Sequence, residues 1–189
     1  TTDEALQGAR DIIAEWISEN ETARNIVRRR FSQDAVITSK VVKAKQEEAD
    51  NYRDYFDFSE KLSRCSSHRL LAIRRGEKEG FLRVDISPDP ERVLEQLKKV
   101  FVKANNDSSK QVAIATDDSY KRLLKSSIEN EFAVLSKEKA DNDAIRVFAE
   151  NLRQLLMQAP LGQKRVLGID PGFRSGCKIV CLDAQGNLL

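Results

Sequence analysis

Histidine, methionine and tryptophan occur once each in these 189 residues, cysteine three times and proline four times. A single histidine, His68, cannot supply a His-based metal cluster, and it is read as a hydrogen-bonding residue that orders the start of a helix. Three cysteines, an odd number, argue against a disulfide framework. Cys177 and Cys181 stand four residues apart; on a strand that separates them by about 13 Å, too far for one bridge or one zinc ion. All three cysteines are therefore expected to be small, reduced core residues of a cytoplasmic protein. A charge surplus is missing as well. Lys and Arg total 32 against 30 for Asp and Glu, a net charge of +2, so any case for a polyanionic partner must rest on local clusters. No apolar run approaches the roughly 20 residues of a membrane helix. The opening Thr1-Thr2-Asp3-Glu4 lacks the basic-then-apolar form of a signal peptide. No internal repeat or low-complexity tract is present.

What is there is helix-rich and heavily charged: 40% of residues are hydrophobic and 33% charged, the composition of a packed core under a charged surface. Ile12, Ile13, Trp16 and Ile17 form a stripe at helical spacing, which Asn20 ends. Residues 21–51 read as a second helix on Ile26, Val27, Phe31, Val36 and Ile37, interruptible at Thr38-Ser39. The aromatics Tyr52, Tyr55, Phe56 and Phe58 either pack between helices or stack on bases. Ser67 is a candidate N-cap and Gly80 a stop for a helix through Leu70, Leu71 and Ile73. Leu82, Val84 and Ile86 alternate with Arg83 and Asp85, a strand pattern without an evident partner. Asp89-Pro90 starts the next helix, with Val93, Leu94, Leu97, Val100 and Phe101 on one face. Residues 105–110 read as a polar loop and Gln111 to Ile114 as strand or helix. A helix follows from about Asp117. Asp141 is expected to cap a last helix whose core face is Ala144, Val147, Phe148, Leu152, Leu155 and Leu156, closed by Pro160 and Gly162.

After residue 163 the pattern changes. "VLGIDPGFRSGCKIVCLD" reads as two strands, with the turn Ala184-Gln185-Gly186-Asn187 after them and Leu188-Leu189 opening a third. Asp170 is expected at the tip of the first strand. A carboxylate held there, with a glycine that lets phosphate approach, is a candidate ligand for Mg²⁺. RNase H-type nucleases and the sugar kinase and heat-shock ATPase group both use such a hairpin. The ATPase type usually follows its glycine with small hydroxyl residues that bond phosphate; the bulky, basic Phe173-Arg174 after Gly172 suits the nuclease type better. Asp-Pro-Gly is also ordinary turn chemistry. Two-metal chemistry needs further carboxylates, so this piece is expected to be non-catalytic and a fragment of a longer protein.

Two basic clusters stand out. Arg28-Arg29-Arg30 fan over about 200° of a helix and read as solvated surface. The second includes Arg64, His68, Arg69, Arg74, Arg75, Lys78 and Arg83. Arg75 and Lys78, three apart, share a helix face. That face either pairs with its own acids, Arg75 with Glu79, or contacts phosphate. Arg174 and Lys178, beside Asp170, are open to the same two readings.

Three stretches, "ITSKVVKAKQEEADNYRDYFDFSE", "SSHRLLAIRRGEKEGFLRV" and "VLGIDPGFRSGCKIVCLD", in this order, resemble the Tex family of bacterial transcription accessory proteins. The resemblance implies a long multidomain protein: a helical N-terminal half, a YqgF-type RNase H-like domain, helix-hairpin-helix modules and an RNA-binding OB-fold. The expectation is a mainly α chain, helical bundle-like over 1–87 and 88–162, ending at 163–189 in a β-hairpin that begins a truncated RNase H-like α/β domain. Nucleic acid, RNA or DNA, is the expected partner, through Arg69, Arg74, Arg75, Lys78, Arg174 and Lys178, with the transcription machinery a further partner of the whole protein. No cofactor is expected in this piece; Mg²⁺ at Asp170 would require an active complete domain. The alternatives are the front end of an RNase H-like, resolvase-type nuclease and a helical protein-interaction domain.

Overall fold

The computed structural model describes residues 1–172 and 176–189. It is mainly α-helical, with a small sheet early in the chain and a hairpin late in it. Its contacts define two compact units, Thr1–Arg146 and Val147–Leu189.

The first unit opens with α1 (Thr2–Glu19) and α2 (Glu21–Asp34). Thr1 and Glu4 form a capping box at the start of α1, which satisfies two orphan N–H groups at once. Asn20 both ends α1 and caps α2, its Oδ1 accepting from the Ala23 N–H at 3.1 Å. Of the apolar stripe on α1, Ile17 is buried and Ile13 packs on the core, but Ile12 and Trp16 are exposed.

The chain then departs from the long helix expected through residue 51. Helix α2 stops at Asp34, and Val36–Val41 forms strand β1. The β-branched Val36-Ile37-Thr38 run suits a pleated surface, and β1 is the centre of a sheet ordered β2-β1-β3. Strand β2 (Asp57–Lys61) was not expected either; its only large apolar residue is Phe58. Strand β3 (Leu82–Ser87) is the one the alternation announced, and β1 is the partner it lacked. All pairings are antiparallel, with Ile37 opposite Ile86 on one side and Glu60 on the other. Ile37, Ser39, Leu82 and Ile86 are buried on one sheet face, and the buried Ser39 hydroxyl donates to the Tyr55 carbonyl at 2.6 Å. The aromatics pack rather than stand free: Tyr52 lies 5.8 Å from Phe81 and Tyr55 5.7 Å from Phe58 between ring centroids.

Helix α3 (Ser67–Lys78) follows β2. Its N-cap is Ser66, not Ser67; the Ser67 hydroxyl instead donates to Asp143 at 2.9 Å. Helix α4 (Pro90–Phe101) starts as expected, with Asp89 accepting from the Glu91 N–H and Pro90 in the first turn. Helix α5 (Asp107–Asp118) settles the ambiguity at Gln111 in favour of helix and takes in much of the expected loop, because Asn106 caps it. A π-helical turn, Ser119–Leu124, links α5 to α6 (Lys125–Leu156). No break occurs at Asp141. It sits inside α6, where it pairs with Lys137 one turn back, so a good capping residue is absorbed as a helix-surface ion pair.

One core holds the first unit together. Val27, Phe31, Ile37, Ile73, Ile86, Val93, Leu97, Tyr120, Leu124 and Ile128 are all buried in it, so residues on both sides of position 87 share it. Arg28 and Arg30 are not simply solvated: Arg28 forms a two-pronged pair with Glu131 at 2.9–3.1 Å, and Arg30 reaches Asp34 and Gln96.

In the second unit the expected core face of the last helix is exposed; Phe148 is 67% accessible. Strand β4 (Val166–Gly172) pairs antiparallel with β5 (Gly176–Leu182). Beyond them Asp183 ties the expected turn, accepting from the N–H groups of Gln185 and Asn187. Leu188 makes a single bridge to Leu182. Cys177 and Cys181 are exposed free thiols rather than core residues, because both hairpin faces are open; only Cys65 is partly buried.

Candidate nucleic-acid interface

The basic cluster is carried by α3, and glycine sets that helix in place. A Cβ on Gly76 would stand 2.7 Å from Leu82 Cδ1 and 3.0 Å from Tyr52 Cδ1, so only a bare backbone packs this closely on β3. Gly80, at φ +75°, ends the helix in a Schellman arrangement: Phe81 N–H donates to Gly76 O and Gly80 N–H to Glu77 O, both at 2.9 Å. Leu70, Ile73 and Gly76 are buried, which turns Arg75 and Lys78 outward.

The four expected cations of α3 separate into two pairs. Arg69 bonds Glu60 on β2 at 3.3 Å, and Arg74 bonds Glu77 at 2.6 Å; these positions are engaged with the protein's own carboxylates. Arg75 and Lys78 are exposed and make no ion pair among the described residues. The Arg75–Glu79 pair does not form. Glu79 instead accepts from the Tyr52 hydroxyl at 2.7 Å; burial, then this carboxylate, raises the phenol above its ordinary pKa. Arg74, Arg75 and Lys78 line a groove with Lys137 and Asp141 of α6. Lys137 is paired with Asp141, which leaves Arg75 and Lys78 as the cations available to a ligand. His68 is exposed, and its Nε2 lies 3.5 Å from the Ser66 hydroxyl, a marginal contact.

The hairpin places Asp170 differently from expectation. It is not the tip of β4, because the strand continues through Pro171 and Gly172. It stands directly opposite Lys178 on β5, with Lys178 Nζ 3.9 Å from Oδ2 and both side chains largely exposed. Arg174 lies outside the described residues. No group of three or more His, Cys, Asp or Glu side chains that could hold a metal ion assembles among the described residues. One open carboxylate beside an ammonium is a poor donor set for Mg²⁺, which wants carboxylate oxygens and substrate phosphates without a competing cation. Asp183 is held by hydrogen bonds to Asn187, side chain first, which lower its pKa. That is turn-building.

The sequence pattern does not single out Lys40 and Lys43: a helix over 36–41 gives Lys40 no sheet face to stand on. In the structure Lys40 of β1 is directly opposite Arg83 of β3, and both are exposed. The alternation of Ile37 and Ser39 with Thr38 and Lys40 was the available signal.

These features define a mainly α-helical protein with a small antiparallel sheet, an outward basic surface and a terminal hairpin. The chain belongs to the Tex family. Residues 1–148 match the family model described as Tex central region-like. The chain is 41% identical over 191 residues to the protein YdcI of Bacillus subtilis, covering all of this chain and 27% of that protein. It is 36% identical to the transcriptional accessory protein Tex of Neisseria gonorrhoeae, over 98% of this chain and 25% of that protein. The human S1 RNA-binding domain-containing protein 1 is 26% identical over 96% of this chain and 20% of its own length. The chain thus spans about a quarter of the length of the bacterial relatives it matches.

Proposed function

We propose that this chain is a non-catalytic, nucleic-acid-contacting scaffold within a cytoplasmic transcription accessory factor, with RNA the favoured ligand. The names of its relatives, a transcriptional accessory protein and an S1 RNA-binding domain protein, support the setting. The observation that carries the reading is the pair Arg75 and Lys78, exposed on one face of α3 without acidic partners among the described residues, on a helix packed closely on β3 at Gly76. Cations of this kind release counterions when they meet phosphates.

Fluorescence anisotropy with a labelled single-stranded RNA tests it. Binding should weaken as salt rises, need no metal, and lose about 0.7 of salt slope per phosphate contact removed in Arg75→Ala/Lys78→Ala. Flat titrations with both RNA and DNA at low salt would favour a protein-docking role instead, a contact with the transcription machinery.

A second reading has its own observation. Strands β4 and β5 leave apolar side chains open, Ile169 at 57% and Ile179 at 63%, as opening strands of a larger RNase H-like, YqgF-type sheet would before the rest is added. On this reading Asp170 becomes a metal ligand only in the complete domain. Mg²⁺-dependent cleavage by the protein carrying that domain, abolished by Asp170→Asn, is its signature; unchanged cleavage in that variant removes it.

A further inference from the structure

We propose a second phosphate-binding groove on the open face of the β2-β1-β3 sheet, formed by Lys40, Lys43 and Arg83, which takes the phosphodiester backbone of a nucleic-acid strand without reading its bases. It rests on the reading that this chain contacts nucleic acid, but not on the α3 surface.

The sheet's periodicity builds it. With Ile37 and Ser39 turned to the core, Thr38 and Lys40 stand on the outer face; with Leu82 and Ile86 turned in, Arg83 and Asp85 stand out. The antiparallel register sets Lys40 against Arg83 and Thr38 against Asp85, and directly opposed residues have Cα atoms about 4.5–5.5 Å apart. Like charges on directly opposed residues repel each other, and an anion bridging Lys40 and Arg83 relieves that repulsion. Beyond the strand the chain is pinned by Val42 N–H donating to the Phe81 carbonyl at 2.8 Å. This starts the short 3-10 turn Lys43–Lys45, and Lys43 thereby lines the same groove of about 660 Å³.

The acids nearby offset this set only in part. Asp85 is in the groove, but its oxygens are taken by Lys125 at 3.1 Å and the Ser87 hydroxyl at 2.6 Å, so its charge is already matched. Asp57 is opposite Lys40 in the β1–β2 register and offsets part of its charge, but no acid forms an ion pair with Lys40, Lys43 or Arg83 among the described residues. The groove lining has no aromatic ring. Bases therefore have nothing to stack on, and the contact is to backbone.

The experiment is an anisotropy titration of the whole chain with labelled poly(U) and poly(A) oligomers at two salt concentrations, comparing wild type, Lys40→Gln/Arg83→Gln and the charge-matched control Lys103→Gln/Lys121→Gln. The proposal expects similar binding of the two oligomers, about a tenfold weakening with a shallower salt slope in the groove variant, and little change in the control. Wild-type affinity in the groove variant, an equal loss in the control, or a strong base preference would each overturn it. Inorganic tripolyphosphate as competitor separates the ligand sources: displacement at equal phosphate concentration makes this a site for small phosphates and overturns the nucleic-acid assignment. If wild type binds neither oligomer, the broader reading fails too; if wild type binds and only the α3 variant Arg75→Ala/Lys78→Ala is impaired, the groove alone fails.

Discussion

The two units use similar residues to opposite ends. In the first, apolar side chains at helical or strand spacing meet one another: Phe31 is 1% exposed and packs 5.4 Å from Phe132, and Ile37, Ile73 and Leu97 are wholly buried. In the second, Ile169, Ile179 and Phe148 stand open, and no described residue from 147 to 189 is buried. The difference teaches that amphipathic spacing specifies a surface, not a core; the stabilisation, about 25 cal/mol per Å² of apolar surface removed from water, arrives only with a partner. A two-stranded hairpin standing alone is marginal.

The sharpest way to break this comparison is a paired truncation read by chemical denaturation. Phe31→Ala is expected to cost about 3–5 kcal/mol, and Ile179→Ala less than about 0.5 kcal/mol; similar losses at both sites would mean the hairpin is packed after all. Next in size, Gly76→Val forces a Cβ against Leu82 and Tyr52 and should cost about 2 kcal/mol by overpacking, with the loss of α3 ellipticity as a second readout. Gly80→Ala places a side chain at φ +75° and is expected to cost about 1 kcal/mol. A smaller effect of opposite sign is expected from Tyr120→Phe. The Tyr120 hydroxyl is buried without a hydrogen-bond partner among the described residues, and burial, then Asp85, Glu129 and Asp89, push its pKa up to about 12. Removing it should leave stability unchanged or raise it by up to about 1 kcal/mol; a clear loss would reveal a bond to that oxygen.

The smallest perturbation, thiol alkylation, sharpens the comparison without mutation. Burial, then Glu60, raises the Cys65 thiol to about 11. A raised pKa means less thiolate at a given pH, so near pH 8 the exposed Cys177 and Cys181 should be labelled first. Cys65 should catch up only as pH approaches 11. Mass spectrometry of the labelled peptides reads the order, and early labelling of Cys65 would contradict its burial.

Much of the first unit was legible where local chemistry and tertiary demand agree. Asn20, Asp89-Pro90 and Gly80 mark real helix ends, because capping and positive φ are satisfied within a few residues. The failures share one cause. Val36 and Ile37 follow the apolar residues Ile26, Val27 and Phe31 without a turn signal between them, and nothing within the segment says that Leu82–Ser87, some 45 residues on, is waiting as its partner. Asp141 has capping chemistry but stays helical because Lys137 is one turn away. Of the expected site, Arg75 and Lys78 make no ion pair among the described residues, whereas Arg69 and Arg74 are engaged with Glu60 and Glu77. Charge counts could not separate these pairs, since Glu60 reaches Arg69 only after β2 has folded beside α3.

By itself, then, the sequence determined the helical majority, the chain ends of its best-capped helices, the late hairpin and the family, all of which depend on contacts within a few residues or on the order of short stretches. Only the tertiary structure decided that Val36–Val41 is a central strand, which α3 cations are engaged by Glu60 and Glu77, and that Lys40 and Arg83 share an open face. The reason is that strand pairing and charge neutralisation are properties of two distant segments brought together, and neither segment carries the other's position in its own pattern.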